Sequence, residues 1–171
     1  MTGNDNYESV SDEILKPKLK IAKLKAFETW ESFCDKKIPV MLNDIVHKLG
    51  IPTTGMDLSV DGYTRANSDG SIYILFNKNT SITRQRFTVA HEIGHIVLEH
   101  TSIFGDCNQY SKASQEKEAD AFAGELLVPL SDLKLFLKTP KSIQEIVDRY
   151  IISKEVAFIA IQGNNLLKMV R

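Results

Sequence analysis

Two histidines four residues apart, inside a run of mainly apolar residues, limit what this 171-residue chain can fold into. His91 and His95 belong to the sequence HEIGH, within an amphipathic pattern that predicts a helix over residues 82–100. At 100° per residue, His95 projects about 40° around the helix from His91 and one turn along it. Both imidazoles can therefore reach a single cation, and the pair predicts a metal site.

The residues around this pair indicate a buried helix with one polar side. Glu92 projects about 100° from His91, close enough to contact a metal-bound water but poorly placed as a ligand. That geometry is expected of a general base. The alternative is a solvated helix with two surface histidines. It is disfavoured because apolar residues cover the opposite side: Val89, Ile93, Ile96 and Val97.

A zinc site of this type needs a third protein ligand and leaves one position for water. Four carboxylates are candidates on a second helix, predicted over residues 115–128: Glu116, Glu118, Asp120 and Glu125. Glu116 and Asp120 share the apolar face of this helix, whereas Glu118 and Glu125 fall on its outer face. We therefore expect Glu116 to be the third ligand of one Zn(2+) ion per chain.

Asp120 lies one turn beyond Glu116 on the same face of the predicted helix. Its carboxylate can accept a hydrogen bond from the far nitrogen of a ligating histidine and so fix the tautomer of that ring. The alternative role is a buried partner for Arg84 or Arg86. We favour the contact with histidine.

Two blocks of sequence resemble the ImmA/IrrE family of metallopeptidases: residues 84–95, RQRFTVAHEIGH, and residues 116–129, EKEADAFAGELLVP. The resemblance extends over about residues 38–167. It implies an α+β, zincin-like fold, in which a small antiparallel β-sheet packs against the active-site helix and additional helices lie at both ends. It also implies zinc bound by His91, His95 and Glu116, with Glu92 as the catalytic residue.

The resemblance further implies what the protein acts on. Members of this family cleave regulatory proteins, often a helix-turn-helix repressor encoded beside them on a phage or mobile element. We therefore expect a zinc-dependent endopeptidase whose partner is such a repressor. Three alternatives stay open: a DNA-binding regulator, a metal-containing module that binds a protein without cutting it, and the toxin peptidase of a toxin-antitoxin pair.

Substrate contacts are predicted close to the histidine pair. The apolar strand over residues 72–76 can offer an edge to an extended substrate, which makes Tyr73 and Leu75 candidate substrate-binding residues. Tyr110 is a third candidate, and Tyr73, Tyr110 and His100 are candidate donors to an oxyanion. In an uninterrupted helix His100 would face away from the metal, so we do not expect it to be a ligand.

The pattern along the chain predicts a flexible tail over residues 1–13 and one metallopeptidase domain over residues 14–171. Within that domain we expect N-terminal helices over 17–50, a small sheet over 56–77 and a C-terminal helix pair over 142–163. Lysines cover the first helix, either as a solvated outer face or as a patch for nucleic acid or a partner. The solvated face is the favoured interpretation.

The charge balance and the cysteine content restrict which partners and which cellular compartment we expect for this protein. With 21 Lys+Arg against 22 Asp+Glu, no global field attracts nucleic acid or an anionic membrane. No apolar run approaches the roughly 20 residues that span a bilayer, so no membrane association is expected. The two cysteines, Cys34 and Cys107, and the absence of a secretory signal pattern predict a cytoplasmic protein with free thiols. For Cys107 the alternative is an inhibitory fourth metal ligand.

The C-terminal helix pair has the spacing of a helix-turn-helix, over residues 142–150 and 153–162. Its second helix is mainly apolar and offers few side chains that read bases. We therefore expect it to pack against the core, and we do not expect direct DNA binding.

Overall fold

The computed structural model describes residues 16–100 and 109–171, and only the backbone of residues 109–111. The predicted tail over residues 1–13, and Cys107, lie outside the described residues. The elements follow one another in the order α1 (Leu19–Cys34), α2 (Leu42–Lys48), β1 (Thr53–Met56), β2 (Gly62–Ala66), β3 (Ile72–Asn77), α3 (Ile82–Val97), α4 (Gln109–Leu127), α5 (Leu130–Phe136), α6 (Ile143–Tyr150), α7 (Lys154–Gly163) and a short 3-10 helix (Leu167–Met169). The architecture is α+β, as the sequence predicts.

The three strands form a mixed sheet in the order β1-β3-β2. β2 pairs with β3 antiparallel, but β1 pairs with β3 in parallel, so the prediction of an antiparallel sheet is only half right. β1 begins three residues before the predicted sheet, and its sequence TTGM lacks the apolar alternation that reveals a strand. β3 is consequently the central strand, not an edge, and Ile74 at its middle is fully buried.

The hydrophobic core lies where α4 packs against both α1 and α3. Gly94 of α3 faces the fully buried Phe122 of α4, and a Cβ at Gly94 would lie 3.1 Å from the Phe122 ring. Glycine at this position therefore allows the two helices to approach closely, which matters because they carry the predicted ligands.

Three of the helices begin at a serine whose side chain accepts a backbone hydrogen bond from the first turn, as the sequence predicts. Ser81 accepts from the backbone N–H of Arg84 at the start of α3. Ser142 and Glu145 form a capping box at the start of α6, and Ser153 caps α7. These caps fix where the helices start, so the predicted pair over residues 142–163 is found at Ile143–Tyr150 and Lys154–Gly163.

The ends of α3 and the start of α4 differ from the predictions. α3 ends at Val97 instead of residue 100, because Glu99 adopts a left-handed φ of 55° that reverses the chain. The backbone N–H of His100 then bonds the carbonyl of His95 at 2.9 Å, so His100 returns toward the histidine pair. α4 begins at residue 109, six residues earlier than predicted.

Among the described residues, no helix is both long enough and apolar enough to cross a membrane.

Candidate metal centre

The structure brings together three of the predicted site residues. Nε2 of His91 lies 3.0 Å from Nε2 of His95 and 3.2 Å from Oε2 of Glu116, and Nε2 of His95 lies 3.6 Å from Oε1 of Glu116. Ligands at 2.0–2.2 Å around a tetrahedral ion are separated by roughly 3.3–3.6 Å, so this spacing suits one metal. The group can therefore hold a metal ion.

Two helices supply this group. His91 and His95 lie one turn apart on α3, and Glu116 reaches them from α4. His95 is buried, His91 is half-buried and Glu116 is the most exposed of the three. The metal would therefore bind at the bottom of an open depression, which leaves room for water or substrate.

Asp120 contacts His91 from the side opposite Glu116. Its Oδ1 lies 2.9 Å from Nδ1 of His91, as the helical phase predicts. Arg84 pairs instead with Asp61, and Arg86 donates to the carbonyls of Val40 and Ile151. The alternative pairing of Asp120 with either arginine is therefore not found.

Charge in this cluster favours a cation. Burial alone would lower the pKa of His91, but hydrogen bonds to Asp120 and Glu116, with the Glu92 charge, raise that pKa to about 9. The hydrogen bond with His91, together with the nearby His95 ring, holds the pKa of the Glu116 carboxyl well below its usual range. The carboxylates that stabilise a protonated His91 would equally stabilise a bound metal ion.

Glu92 is buried beside the ligand group, and one oxygen has a defined partner. Thr64 of β2 donates its hydroxyl to Oε2 of Glu92 at 2.7 Å. β2 comes this close to α3 because Gly62 has no side chain, since a Cβ there would lie 2.5 Å from Thr88. The sequence analysis missed Thr64, because a single threonine in a strand carries no signal of a distant carboxylate.

His100 and Glu118, named in the sequence analysis as a candidate oxyanion donor and a candidate ligand, make contacts that it did not predict. Nδ1 of His100 lies 2.9 Å from Nδ1 of His95, and its Nε2 lies 3.0 Å from Oε2 of Glu118. Burial outweighs the Glu118 contact and lowers the pKa of His100. The prediction that Glu118 faces outward is wrong, because α1 packs on that side of α4 and leaves the Glu118 side chain only 15% exposed. His100 is not in the ligand group, as predicted, although the chain reversal at Glu99 invalidates the phase argument.

A cleft of about 900 Å³ is lined by His91 and Glu116, two of the three candidate ligands, and by Glu92. One side is formed by residues at the start of β2 and by α3, and the other by α4 and α7. The apolar wall belongs to α7, where Ile159 is 63% exposed and Val156 and Ala160 also face the cleft. α7 packs against the core through the buried Ala157 and Ile161, as predicted, while its other side faces the cleft.

The predicted substrate-binding residues are less well supported. Tyr73 and Leu75 lie on β3, which is hydrogen-bonded on both sides, and neither lines the cleft. The prediction that this strand offers a free edge is wrong, because β1 occupies it. The strand that borders the cleft is β2, through Gly62. The side chain of Tyr110 lies outside the described residues.

A zincin-like α+β fold with a histidine–histidine–glutamate group defines a metallopeptidase-type protein. The family model described as IrrE N-terminal-like domain, peptidase M78, matches residues 46–161. This match covers more than half of the chain, and the protein belongs to that family. The resemblance seen in the two sequence blocks is thereby confirmed.

One solved structure adds support for the fold. A transcriptional regulator from Mycobacterium tuberculosis superimposes with a TM-score of 0.58 over 81% of this chain, at 13% sequence identity. The matched region spans 46% of the length of that protein, so the likeness concerns the fold of one part. No curated protein matches the chain in sequence.

Proposed function

We propose that this protein is a zinc-dependent endopeptidase that cleaves a regulatory protein. The observation that carries the proposal is the placement of a buried glutamate, Glu92, beside a group of three metal-binding side chains, with Glu92, His91 and Glu116 lining one cleft and His95 buried behind them. Metal ligands alone would suit a structural site. A carboxylate held next to the ligands, on the floor of an open cleft, is what hydrolysis additionally requires.

The donor set favours zinc. Two imidazoles and one carboxylate are the ligands of catalytic zinc sites, whereas magnesium and calcium prefer oxygen alone. When bound, zinc would lower the pKa of its water to about 7 and polarise the scissile carbonyl. His91, His95 and Glu116 would hold the ion on one side, and the cleft leaves the other side open to substrate.

Glu92 is the catalytic residue in this proposal. Thr64 holds Oε2 of the carboxylate, so the group has a fixed orientation beside the ligands. Glu92 would take a proton from the attacking water and later deliver it to the departing amine. Its burial keeps bulk water away from this transfer.

The cleft suits a segment of protein chain. It borders the strand β2 at Gly62, where an extended peptide could add to the sheet, and the apolar side of α7 could accept side chains. The substrate we propose is a helix-turn-helix repressor of a phage or mobile element, and we expect the reaction to take place in the cytoplasm. Support for a regulatory role comes from the family and from the structural likeness to a transcriptional regulator.

Cleavage by the wild-type protein and by Glu92→Gln tests the proposal. Both proteins are purified, loaded with zinc and incubated with the repressor encoded beside the gene. We expect the wild type to cut the repressor at one or a few bonds and Glu92→Gln to leave it intact with its zinc retained. Cleavage by both proteins would refute the role of Glu92.

The remaining alternatives give different results in the same experiment. Stable binding of the repressor without cleavage, in both proteins, would indicate a non-cleaving metal-containing module. Retardation of operator DNA that survives chelation would indicate a DNA-binding regulator. Cleavage of many unrelated proteins would indicate a toxin peptidase.

A further inference from the structure

His95 is held from both ends of its imidazole ring. Its Nε2 faces His91 and Glu116 in the candidate metal centre, and its Nδ1 lies 2.9 Å from Nδ1 of His100. His100 is only 4% exposed, and its other nitrogen lies 3.0 Å from Oε2 of Glu118. These contacts form a chain from the metal centre into the protein interior.

The far end of this chain is anchored to the backbone. Oε1 of Glu118 accepts a hydrogen bond of 2.6 Å from the backbone N–H of Lys18, just before α1 begins. A carboxylate that accepts both from a backbone N–H and from a ring is held in one orientation. Glu118 therefore stays fixed relative to His100.

The chemistry of the groups determines where the protons lie. An ionised carboxylate can only accept, so the nitrogen of His100 that faces Glu118 must carry a hydrogen. In a neutral ring the other nitrogen, Nδ1, is then an acceptor. The facing nitrogen of His95 must donate to it, so His95 carries its hydrogen on Nδ1. The lone pair of His95 is thereby left on Nε2, which faces the metal centre.

We propose that His100 and Glu118 are positioning residues that fix the tautomer and orientation of His95 for metal binding. This inference rests on the metal centre of the proposed function. His91 receives the same help directly from Asp120, whose carboxylate is 60% exposed, whereas His95 receives it through an intervening ring from a carboxylate that is 15% exposed. The two ligands are thus supported from different sides of α4.

The chain of contacts from His95 through His100 to Glu118, called the relay below, can be tested by Co2+ binding, measured by competition with a chromophoric chelator. His100→Phe keeps a buried ring but removes the acceptor, and we expect about 10- to 100-fold weaker Co2+ binding, the range found for such outer partners. His100→Asn offers an amide oxygen close to the position of Nδ1, so it should recover most of that loss. Glu118→Ala should weaken binding by about tenfold, since His100 then loses the group that fixes its own tautomer.

Glu125→Ala is the matched control. Glu125 is another half-buried carboxylate of α4, and it accepts the backbone N–H of Leu130 at 2.9 Å, as Glu118 accepts that of Lys18. Glu125→Ala therefore removes a comparable hydrogen bond from α4, but one that lies away from the His95 ring. We expect Co2+ affinity to be unchanged. A loss equal to that of Glu118→Ala would overturn the relay, because it would assign the effect to general loosening of α4.

The tautomer itself can be read without metal. Long-range proton–nitrogen NMR spectra of the zinc-free wild type at pH 10, above the pKa of about 9 of the neighbouring His91, should show the hydrogen of His95 on Nδ1 and that of His100 on Nε2. In His100→Phe the hydrogen of His95 is no longer directed, so a mixture of tautomers is expected. A wild-type His95 with its hydrogen on Nε2 would overturn the proposal even if the variants fail to fold.

The outcomes separate this inference from the proposed function. Folded His100→Phe and Glu118→Ala proteins that bind Co2+ as tightly as the wild type would overturn the relay and leave the metal centre intact. A wild type that binds no Co2+ would overturn the metal centre, and the relay with it.

Discussion

The hydroxyl of Thr64 is a small group on which the proposed catalysis depends. It donates to the buried carboxylate of Glu92 at 2.7 Å, from a different element of the fold. A hydrogen bond to a buried charged group contributes about 1.5–3 kcal/mol, more than a typical neutral pair. The same contact both stabilises the folded protein and aims the carboxylate.

Replacing Thr64 by Val should therefore affect turnover more than substrate binding. Valine has nearly the same shape, so we expect kcat to fall by about tenfold, as loss of roughly 1.4 kcal/mol would give, with little change in KM. Thr64→Ser keeps the hydroxyl and should retain most of the activity. Steady-state kinetics on the cleaved repressor, with zinc content measured in parallel, would check this. An equal loss in both variants would contradict it.

The contact of His91 with Asp120 makes the zinc-free protein sensitive to alkaline pH. The pKa of His91 is raised from 6.5 to about 9 in the folded state. Its contribution to stability is therefore fully present below about pH 6.5 and is lost as the pH rises through 9. We expect the free energy of unfolding to fall by about 2 kcal/mol between pH 6.5 and 9.5, allowing for screening of the exposed Asp120.

Urea unfolding of chelator-treated protein at the two pH values measures this effect. Asp120→Asn corrects for other groups that titrate over the same range, and it should show a clearly smaller fall. Equal falls in the wild type and in Asp120→Asn would show that the ion pair contributes nothing to the pH dependence.

At the scale of elements, the site depends on the close approach of α3 and α4. Gly94→Ala would place a methyl group 3.1 Å from the Phe122 ring, so the Phe122 side chain or its helix must give way by a few tenths of an ångström. We expect a loss of about 1–3 kcal/mol in the free energy of unfolding and weaker metal binding, because Glu116 moves relative to the histidines. Thermal or urea unfolding, together with Co2+ titration, would measure both.

Gly124→Ala on α4 is the matched control. A Cβ at this position meets nothing within 4 Å, and alanine is favoured over glycine in a helix. We expect the free energy of unfolding to rise by up to about 1 kcal/mol. If Gly94→Ala also stabilises the protein, close packing of α3 on α4 is not what selects glycine there.

Most helices and the starts marked by side-chain caps could be predicted from the sequence, whereas the start of α4, the end of α3 and one strand could not. α3 could be predicted from its apolar residues at helical spacing and from the Ser81 cap, because both are local signals. β1 was missed because TTGM is short and half-exposed, and its pairing with β3 depends on a partner 21 residues away. The reversal at Glu99 has no glycine to mark it.

The residues of the candidate site likewise fall into those that could be predicted from the sequence and those that could not. His91, Glu92, His95 and Glu116 were predicted because helical phase relates residues within one helix to a common face. Glu118 was misplaced because α4 packs against two helices, so phase alone could not identify its second buried face, and His100 because the chain reverses at Glu99. Contacts between elements, such as Thr64 with Glu92, have no signature in a single sequence.

For the whole molecule, metal should act as a clamp between α3 and α4 and not as a condition for folding. The described core is extensive and does not include the candidate ligands. We expect chelated protein to keep its helical circular dichroism, and free zinc at a thousand times its dissociation constant to add about 4 kcal/mol. Unfolding on chelation alone would show instead that the metal is structural.

Zinc content tests the central claim most directly. Elemental analysis of the purified wild type, Glu116→Ala and the control Glu125→Ala should find close to one zinc per chain in the first and third proteins. It should find almost none in Glu116→Ala after dialysis against a weak chelator, since two histidines alone hold zinc poorly. A full zinc ion per chain in folded Glu116→Ala would contradict the site as described.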